Sequence, residues 1–325
     1  MFRFLMISVL LTSIVFAQQS PDGRYSVDQE RRISHDIRDE QSVIYRVLDS
    51  DDREVYSVTR EATYDAAFPS VGVFNSGKLI IIDSFAGIVE FYDTTGNQMD
   101  VKTLPGVTDV EHERKIDFAL HHNRAACIVS EPAHADARLV VFSETGEQLL
   151  LKKIDDPHTT GIAYSPDGAV LAVGTYRWIG ESLREKSYFL TGQGEILGSV
   201  NQGFERGLFS DDGRYFIGYS NSYVHLIDVA DNEVLWSRER EHDAIIIKAA
   251  WHLNEVLLLT SDKPLLYEGT WVYNNPIVMT LDALRGEVIS ERFFPEVPFT
   301  SGYFRVDNDE LLLQLDDSVY LLERD

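Results

Sequence analysis

Cysteine is nearly absent from this chain of 325 residues: Cys127 stands alone, so no internal disulfide can form and stability has to come from an apolar core. Basic side chains are scarce as well, 29 against 53 acidic ones, which gives a net charge of -24. No Lys/Arg cluster interrupts that excess, so a binder of phosphate backbones, and with it nucleic acid, is excluded. After the first seventeen residues no apolar run is long enough to cross about 30 Å of hydrocarbon, so no membrane span is expected. Nor does any stretch keep a 3.6-residue apolar period over three turns, which removes long amphipathic helices. What is present is 44% hydrophobic and 11% aromatic residues, enough for a sizeable core and far from a disordered composition.

Residues 1–17 open with Met-Phe-Arg, continue as an apolar run broken only by Ser8, Thr12 and Ser13, and end in Ala17 before Gln18-Gln19. Val15 and Ala17 occupy the -3 and -1 positions of a signal-peptide cleavage site, so export to the periplasm or the extracellular space is expected, with a net charge of -25 once Arg3 is removed. No cysteine follows to carry a lipid anchor. Residues 18–41 are the most charged stretch, with Asp28-Gln29-Glu30-Arg31-Arg32 in it, and are expected to cover an edge or to stay mobile. Residues 42–325 then form a single domain closed by its N- and C-terminal strands.

That domain reads as strands throughout. Apolar runs rich in Val, Ile, Leu, Tyr and Phe are separated by Gly, Asp, Asn and Pro pairs. A cycle of four short strands recurs, and its third turn falls at Gly96, Gly146, Gly194, Asp231 and Gly286, in steps of 50, 48, 37 and 55 residues. A four-strand repeat near that length predicts an all-β propeller of four-stranded antiparallel blades, which a β-sandwich would not require. Five full units, plus a C-terminal triplet at 302–306, 310–315 and 319–322 closed by residues 54–60, favour six blades. Seven is the alternative, because the run 42–48 finds no comfortable place in six.

Tyr164-Ser165-Pro166-Asp167-Gly168-Ala169-Val170-Leu171-Ala172 and Phe209-Ser210-Asp211-Asp212-Gly213-Arg214-Tyr215-Phe216-Ile217 resemble the F-S-P-D-G-x-x-L-A element of WD40-like propellers, including the TolB-type and YVTN-like ones. Asp93, Asp228 and Asp282 are similar to the Asp of the WD dipeptide, without its Trp. The resemblance implies the superfold and carries no activity with it, because such folds host binding modules and unrelated enzymes alike.

In a propeller the connections between second and third strands, and those between blades, share one end, where ligands usually meet the fold. Two such connections are predicted to be long loops, 176–186 and 267–276. Their Tyr176, Arg177, Trp178, Arg184, Tyr267, Trp271, Tyr273, Asn274 and Asn275 are the candidate ligand-binding residues, since rigid rings with interspersed Arg and Asn suit a peptide, a glycan or a partner protein. Ser84, Phe85, His134, His158, Asn221 and Tyr223 are expected at the same end.

Metal ligation is not expected. Residues 49–54 place Arg53 and Glu54 where a calcium loop needs an oxygen ligand and a glycine, and His121-His122 would point their rings to opposite sides of a strand. His112-Glu113 lacks a third ligand, and Asp307-Asn308-Asp309-Glu310 reads as a turn. No cofactor is expected, and Cys127 in Ala-Ala-Cys-Ile-Val reads as an inert core thiol. No nucleophile elbow, H-E-x-x-H, P-loop, dinucleotide fingerprint or sialidase Asp-box occurs. The favoured reading is an exported monomeric binding or scaffolding module. The alternative is a propeller hydrolase, lyase or lactonase using carboxylates at the channel mouth, with or without a metal.

Overall fold

The structure, a computed structural model, describes residues 18–32, 41–62, 69–105, 115–130, 136–240, 244–267, 270–307 and 310–322. Residues 1–17, expected as a signal peptide, and His112, Glu113, His134, Asn308 and Asp309 lie outside the described residues.

The described strands fall into consecutive antiparallel sheets. The first sheet holds β1 (Gln18–Gln19), β2 (Tyr25–Arg32), β3 (Gln41–Asp49) and β4 (Glu54–Ala62). The second holds β5 (Ser70–Val73), β6 (Leu79–Asp83), β7 (Ile88–Tyr92) and β8 (Gln98–Thr103), and the third β9 (Lys115–His121), β10 (Arg124–Ser130), β11 (Ala137–Ser143) and β12 (Gln148–Ile154). The fourth comprises β13 (His158–Tyr164), β14 (Val170–Ile179), β15 (Ser182–Thr191) and β16 (Ile196–Val200). The fifth comprises β17 (Arg206–Phe209), β18 (Tyr215–Tyr219), β19 (Tyr223–Asp228) and β20 (Glu233–Glu239). In the sixth, β21 (Ile245–His252) and β22 (Glu255–Ser261) are followed by a separate hairpin, β23 (Leu265–Tyr267) and β24 (Thr270–Val272), before β25 (Ile277–Asp282) and β26 (Val288–Phe293) complete the sheet. The seventh has three described strands, β27 (Gly302–Asp307), β28 (Glu310–Leu315) and β29 (Ser318–Leu321).

The residue pattern explains the arrangement. Middle strands are apolar without alternation, as in Leu79-Ile80-Ile81-Ile82, all buried, because both faces of the sheet are covered. Fourth strands such as β20 alternate between half-buried and exposed positions, because one face meets solvent. The expected third turns are in place: Gly96, Gly146 and Gly194 adopt φ of 83, 86 and 82°, a region that favours glycine. In the fifth sheet the left-handed residue is Asn232, with φ 54°, one position beyond the predicted Asp231.

The S-x-D-G turns share one construction. Ser165 Oγ donates to Asp167 Oδ1 at 2.6 Å and accepts the Val170 N–H at 2.9 Å, while the Gly168 N–H reaches the Ser165 carbonyl. Ser210, Asp212, Gly213 and Tyr215 repeat the set. So do Ser20, Asp22, Gly23 and Tyr25, with Ser20 Oγ to Asp22 Oδ1 at 2.8 Å and Tyr25 N–H to Ser20 Oγ at 3.0 Å.

This third copy corrects the reading of residues 18–41. They hold β1 and β2, and β2 pairs with β3 over eight positions from Tyr25↔Asp49 to Arg32↔Ser42. The strand was hidden by its charge. Val27 and Gln29 face inward and are buried, while Asp28 and Glu30 face outward, where Arg46 of β3 pairs with both. Beside the two-stranded β23–β24 hairpin, the described strands form seven sheets of three or four strands, which fits the expected six or seven blades. Glu54–Ala62, assigned to close the last sheet, pairs with β3 instead.

The chain divides into two compact units, one of Met1–Arg114, Leu120–Ala125 and Val140–Leu149, the other of Lys115–Ala119, Ala126–Leu139 and Leu150–Asp325. In the N-terminal unit the first two sheets pack through Val27, Val43, Tyr45, Val58, Val73 and Ile81. Arg60 ties them further, at 2.7 Å from Asp83 and 3.2 Å from Glu90. In the C-terminal unit three apolar layers follow one another. Phe189, Phe204, Phe209 and Phe216 join the fourth sheet to the fifth, Val224, Leu226, Ile246 and Leu258 the fifth to the sixth, and Leu259, Phe299, Leu313 and Leu315 the sixth to the seventh.

Candidate binding surface

In an antiparallel meander the connection between second and third strands and the connection to the next sheet lie at the same end. In the C-terminal unit that end carries the candidate residues.

Residues 176–186, expected as a loop, continue the ladder as a hairpin. β14 and β15 each run ten residues and stay in register from Val170↔Thr191 to Ile179↔Ser182, with only Gly180-Glu181 between them and Gly180 at φ 63°. The change of residue type along the hairpin divides its roles. At the base, Tyr176 stacks on His158 (4.7 Å, 22°) and Arg177 binds the Asp156 carboxylate and the Asp155 carbonyl. Beyond them Trp178 is 60% exposed, with Ile179, Leu183 and Arg184 exposed beside it.

Asp156 anchors that base. It is buried and accepts from Thr175 Oγ1 at 2.9 Å and Tyr188 Oη at 2.9 Å besides Arg177. Burial alone would raise its pKa, but the three donors outweigh it and hold the carboxyl below its ordinary range, while burial and Asp156 push the Tyr188 phenol up. Asp156→Ala, which leaves the Tyr188 hydroxyl without its acceptor and Arg177 without its carboxylate, is expected to cost about 2 kcal/mol of unfolding free energy in a denaturant titration. A loss indistinguishable from zero would show that the hairpin base does not depend on this network.

In the connection 267–276 the described residues also pair. Leu265 pairs with Val272, Leu266 with Trp271 and Tyr267 with Thr270. Tyr267 and Trp271 are 67% and 55% exposed. Tyr273, Asn274 and Asn275 are committed to the fold. Tyr273 bridges to Phe299 and packs on its ring at 5.4 Å, the Asn274 carbonyl accepts the Asp262 N–H, and Asn275 donates to Asp262 at 2.7 Å and accepts the Glu296 N–H at 3.0 Å.

The fifth sheet, between these two, turns tightly at Ser220-Asn221-Ser222. Asn221 accepts from Arg206, which also donates to the Ile247 carbonyl at 2.7 Å, and Tyr223 reaches Glu185 of the long hairpin at 3.3 Å. Ser84 and Phe85 occupy the corresponding turn of the second sheet, in the other unit.

Sequence reasoning missed a cleft of about 330 Å³ between the fifth and sixth sheets. Val224, Ile246, Leu258, Ile277 and Met279 give it an apolar lining that continues the core layer between those sheets. Arg238 and Arg240 of one wall face Glu291 of the other, with Asp262, at the root of the short hairpin, and Ala244 also lining it. Its volume lies at the lower end of the range of ligand sites.

The remaining sequence candidates are structural. His121 and His122 do not diverge: β9 ends at His121, His122 turns to φ 46°, and the rings meet edge-on at 4.1 Å, with His122 Nδ1 3.0 Å from Asn75 Nδ2. No group of three His, Cys, Asp or Glu side chains suited to a metal occurs among the described residues. Cys127 is buried, and burial pushes its thiol up to about 12. Asp49 caps its own turn by accepting the N–H groups of Asp51 and Arg53. Among the described residues no helix is long and apolar enough to cross a membrane.

No family model and no curated protein matches the chain. Among solved structures it is similar to the Dos1 propeller, with 14% identity over 93% of this chain and 75% of that one and a TM-score of 0.60. It is similar to BamB from Moraxella catarrhalis, with 14% identity over 93% and 82% and a TM-score of 0.54, and to a chain of the mitotic checkpoint complex, with 11% identity over 94% and 84% and a TM-score of 0.57. Identities this low establish the fold and nothing finer. With its succession of four-stranded antiparallel sheets, the chain is a β-propeller in fold.

Proposed function

We propose that the protein is an exported, monomeric binding module that captures an extended segment of a peptide or partner protein at the hairpin-bearing end of its C-terminal unit. Export rests on the leader-like residues 1–17, and capture rests on one observation, the apolar cleft between the fifth and sixth sheets. A slot lined by Val, Ile, Leu and Met side chains suits an apolar anchor residue better than the hydroxyls of a glycan. Arg240 and Glu291 on opposing walls offer a charged partner to each side of the peptide backbone that carries the anchor. The exposed rings of the two hairpins add contact area around it at low entropic cost.

Selection of displayed peptides against the purified protein tests this reading. Sequences with a large apolar residue should be enriched. A peptide present at 100 times its dissociation constant should add about 2.7 kcal/mol to the unfolding free energy. Ala244→Trp, which fills the cleft from its edge, should weaken binding by about tenfold or more. Binding indifferent to Ala244→Trp, or no enrichment at all, would reject the cleft as the site.

A further inference from the structure

Both hairpins hold apolar side chains out in solvent, and the short one does so on two faces. In β23–β24 Leu266 lies opposite Trp271 on one face, while Leu265 and Tyr267 lie on the other, and all four are exposed. In β14–β15 Trp178 and Leu183 share one face and Ile179 takes the other. A hairpin that docks on a protein needs one apolar face. The short hairpin exposes large apolar side chains on both faces, with Thr270 opposite Tyr267, and so is suited to an apolar medium that surrounds it.

We infer that the exposed apolar side chains of these two hairpins enter the headgroup layer of a lipid surface, so that peptide capture takes place beside a membrane; this goes beyond the peptide reading, which rests on the cleft. Reach agrees with it. Trp178 stands three residues past Thr175, the last buried residue of β14, which at strand rise is about 10 Å, close to the depth at which interfacial elements settle. The fifth sheet between the hairpins turns tightly at Ser220–Ser222 and has no such extension.

Charge agrees as well. Within a chain of net charge -24, residues 176–186 carry Arg177, Arg184 and Lys186 against Glu181 and Glu185, a balance of +1, and residues 263–272 carry Lys263 against Glu268, a balance of zero, so neither hairpin shares the acidic surplus. Trp and Tyr are the residues that settle at such interfaces. The surface expected is zwitterionic, because the acidic remainder of the chain is repelled by anionic lipid.

The test is flotation of the purified protein with phosphatidylcholine vesicles, without peptide, together with quenching of tryptophan fluorescence by brominated phosphatidylcholine. Of the four tryptophans, Trp236 and Trp251 are partly buried against the core layer of the fifth and sixth sheets, so quenching should come from Trp178 and Trp271. Wild type is expected to float and to be quenched. Trp178→Ser/Trp271→Ser, at exposed positions where thermal stability should hold, should float about tenfold less. Leu284→Ser, an exposed leucine in the turn after β25 at the opposite end, should float as wild type does.

Admixture of phosphatidylglycerol should reduce flotation at low salt, and added salt should restore it. No flotation on neutral vesicles, or flotation unchanged in the double variant, overturns the inference. Absence of flotation combined with loss of peptide binding in the double variant would assign the tips to a protein partner instead. Flotation is read without peptide and the peptide isotherm without vesicles, so either reading can fail while the other stands.

Discussion

Gly174→Ala is expected to lower the unfolding free energy by about 3 kcal/mol, or the melting temperature by about 5 °C, with no change in any contact a sequence would reveal. Gly174 of β14 faces Gly161 of β13 across the ladder, and the connection from the fourth to the fifth sheet lies directly over the pair. A Cβ on Gly174 would stand 2.6 Å from the Phe204 carbonyl oxygen and 2.5 Å from Thr160 Oγ1; one on Gly161 would stand 2.5 Å from the Glu205 carbonyl oxygen. The two carbonyl oxygens are backbone atoms that cannot rotate away. Phe204 is fully buried between the two sheets and packs edge-on against Phe216 at 4.8 Å, so relaxation would have to move a core ring.

Gly180 at the tip of the long hairpin supplies the contrast. Nothing lies within 4 Å of its missing Cβ, and Gly180→Ala should cost only the left-handed backbone penalty at φ 63°, about 1 kcal/mol. Equal losses for the two alanines, read in parallel denaturant titrations, would show that the close approach at Gly174 is not what the packing requires.

Acidification from pH 6.5 to about 4 should remove about 3 kcal/mol of stability through a single side chain, His225. This residue sits in β19, fully buried, with its ring stacked on Tyr223 at 5.5 Å and its Nε2 without a hydrogen-bond partner beside Gly218. Burial lowers its pKa from 6.5 to about 4. Between those values the unfolded chain holds a proton that the folded one refuses, so stability is complete above pH 6.5 and falls as pH drops towards 4. The carboxyls held low, Asp93 at about 2 among them, add their own loss of stability from about pH 5 downwards, so the slope due to His225 is read between pH 6.5 and 5. His225→Phe keeps the ring and deletes the titration. Its denaturation midpoint should be flat where that of the wild type slopes, and equal slopes would exclude His225 as the origin.

Much of this fold was legible because local chemistry and tertiary role coincide. Gly96, Gly146 and Gly194 mark turns that require a left-handed residue, and runs such as Leu79–Ile82 are apolar on both sides because both faces are covered. The first sheet escaped because β2 is mostly charged, yet Ser20-Pro21-Asp22-Gly23-Arg24-Tyr25 matches Ser210-Asp211-Asp212-Gly213-Arg214-Tyr215 at every position but one, and this signal identifies it.

The hairpins were partly legible. Trp178 and Trp271 are as exposed as a contact residue should be, whereas Arg177, Tyr273 and Asn275 resemble ligand-binding residues in sequence and are spent on Asp156, Phe299 and Asp262. The cleft left no trace in the sequence. Val224, Leu258 and Met279 carry the pattern of core residues, and only the spacing of two sheets shows that the layer between them stops short of full packing.

Hydrogen exchange of the protein with and without a selected peptide tests the central claim most directly. The account expects slowed exchange confined to the cleft walls, at Tyr223–Val224, Leu258–Asp262 and Ile277–Met279, and none at the turns around Gly194 and Gly286 at the opposite end. Slowed exchange at those opposite turns, with the cleft walls unchanged, would contradict it.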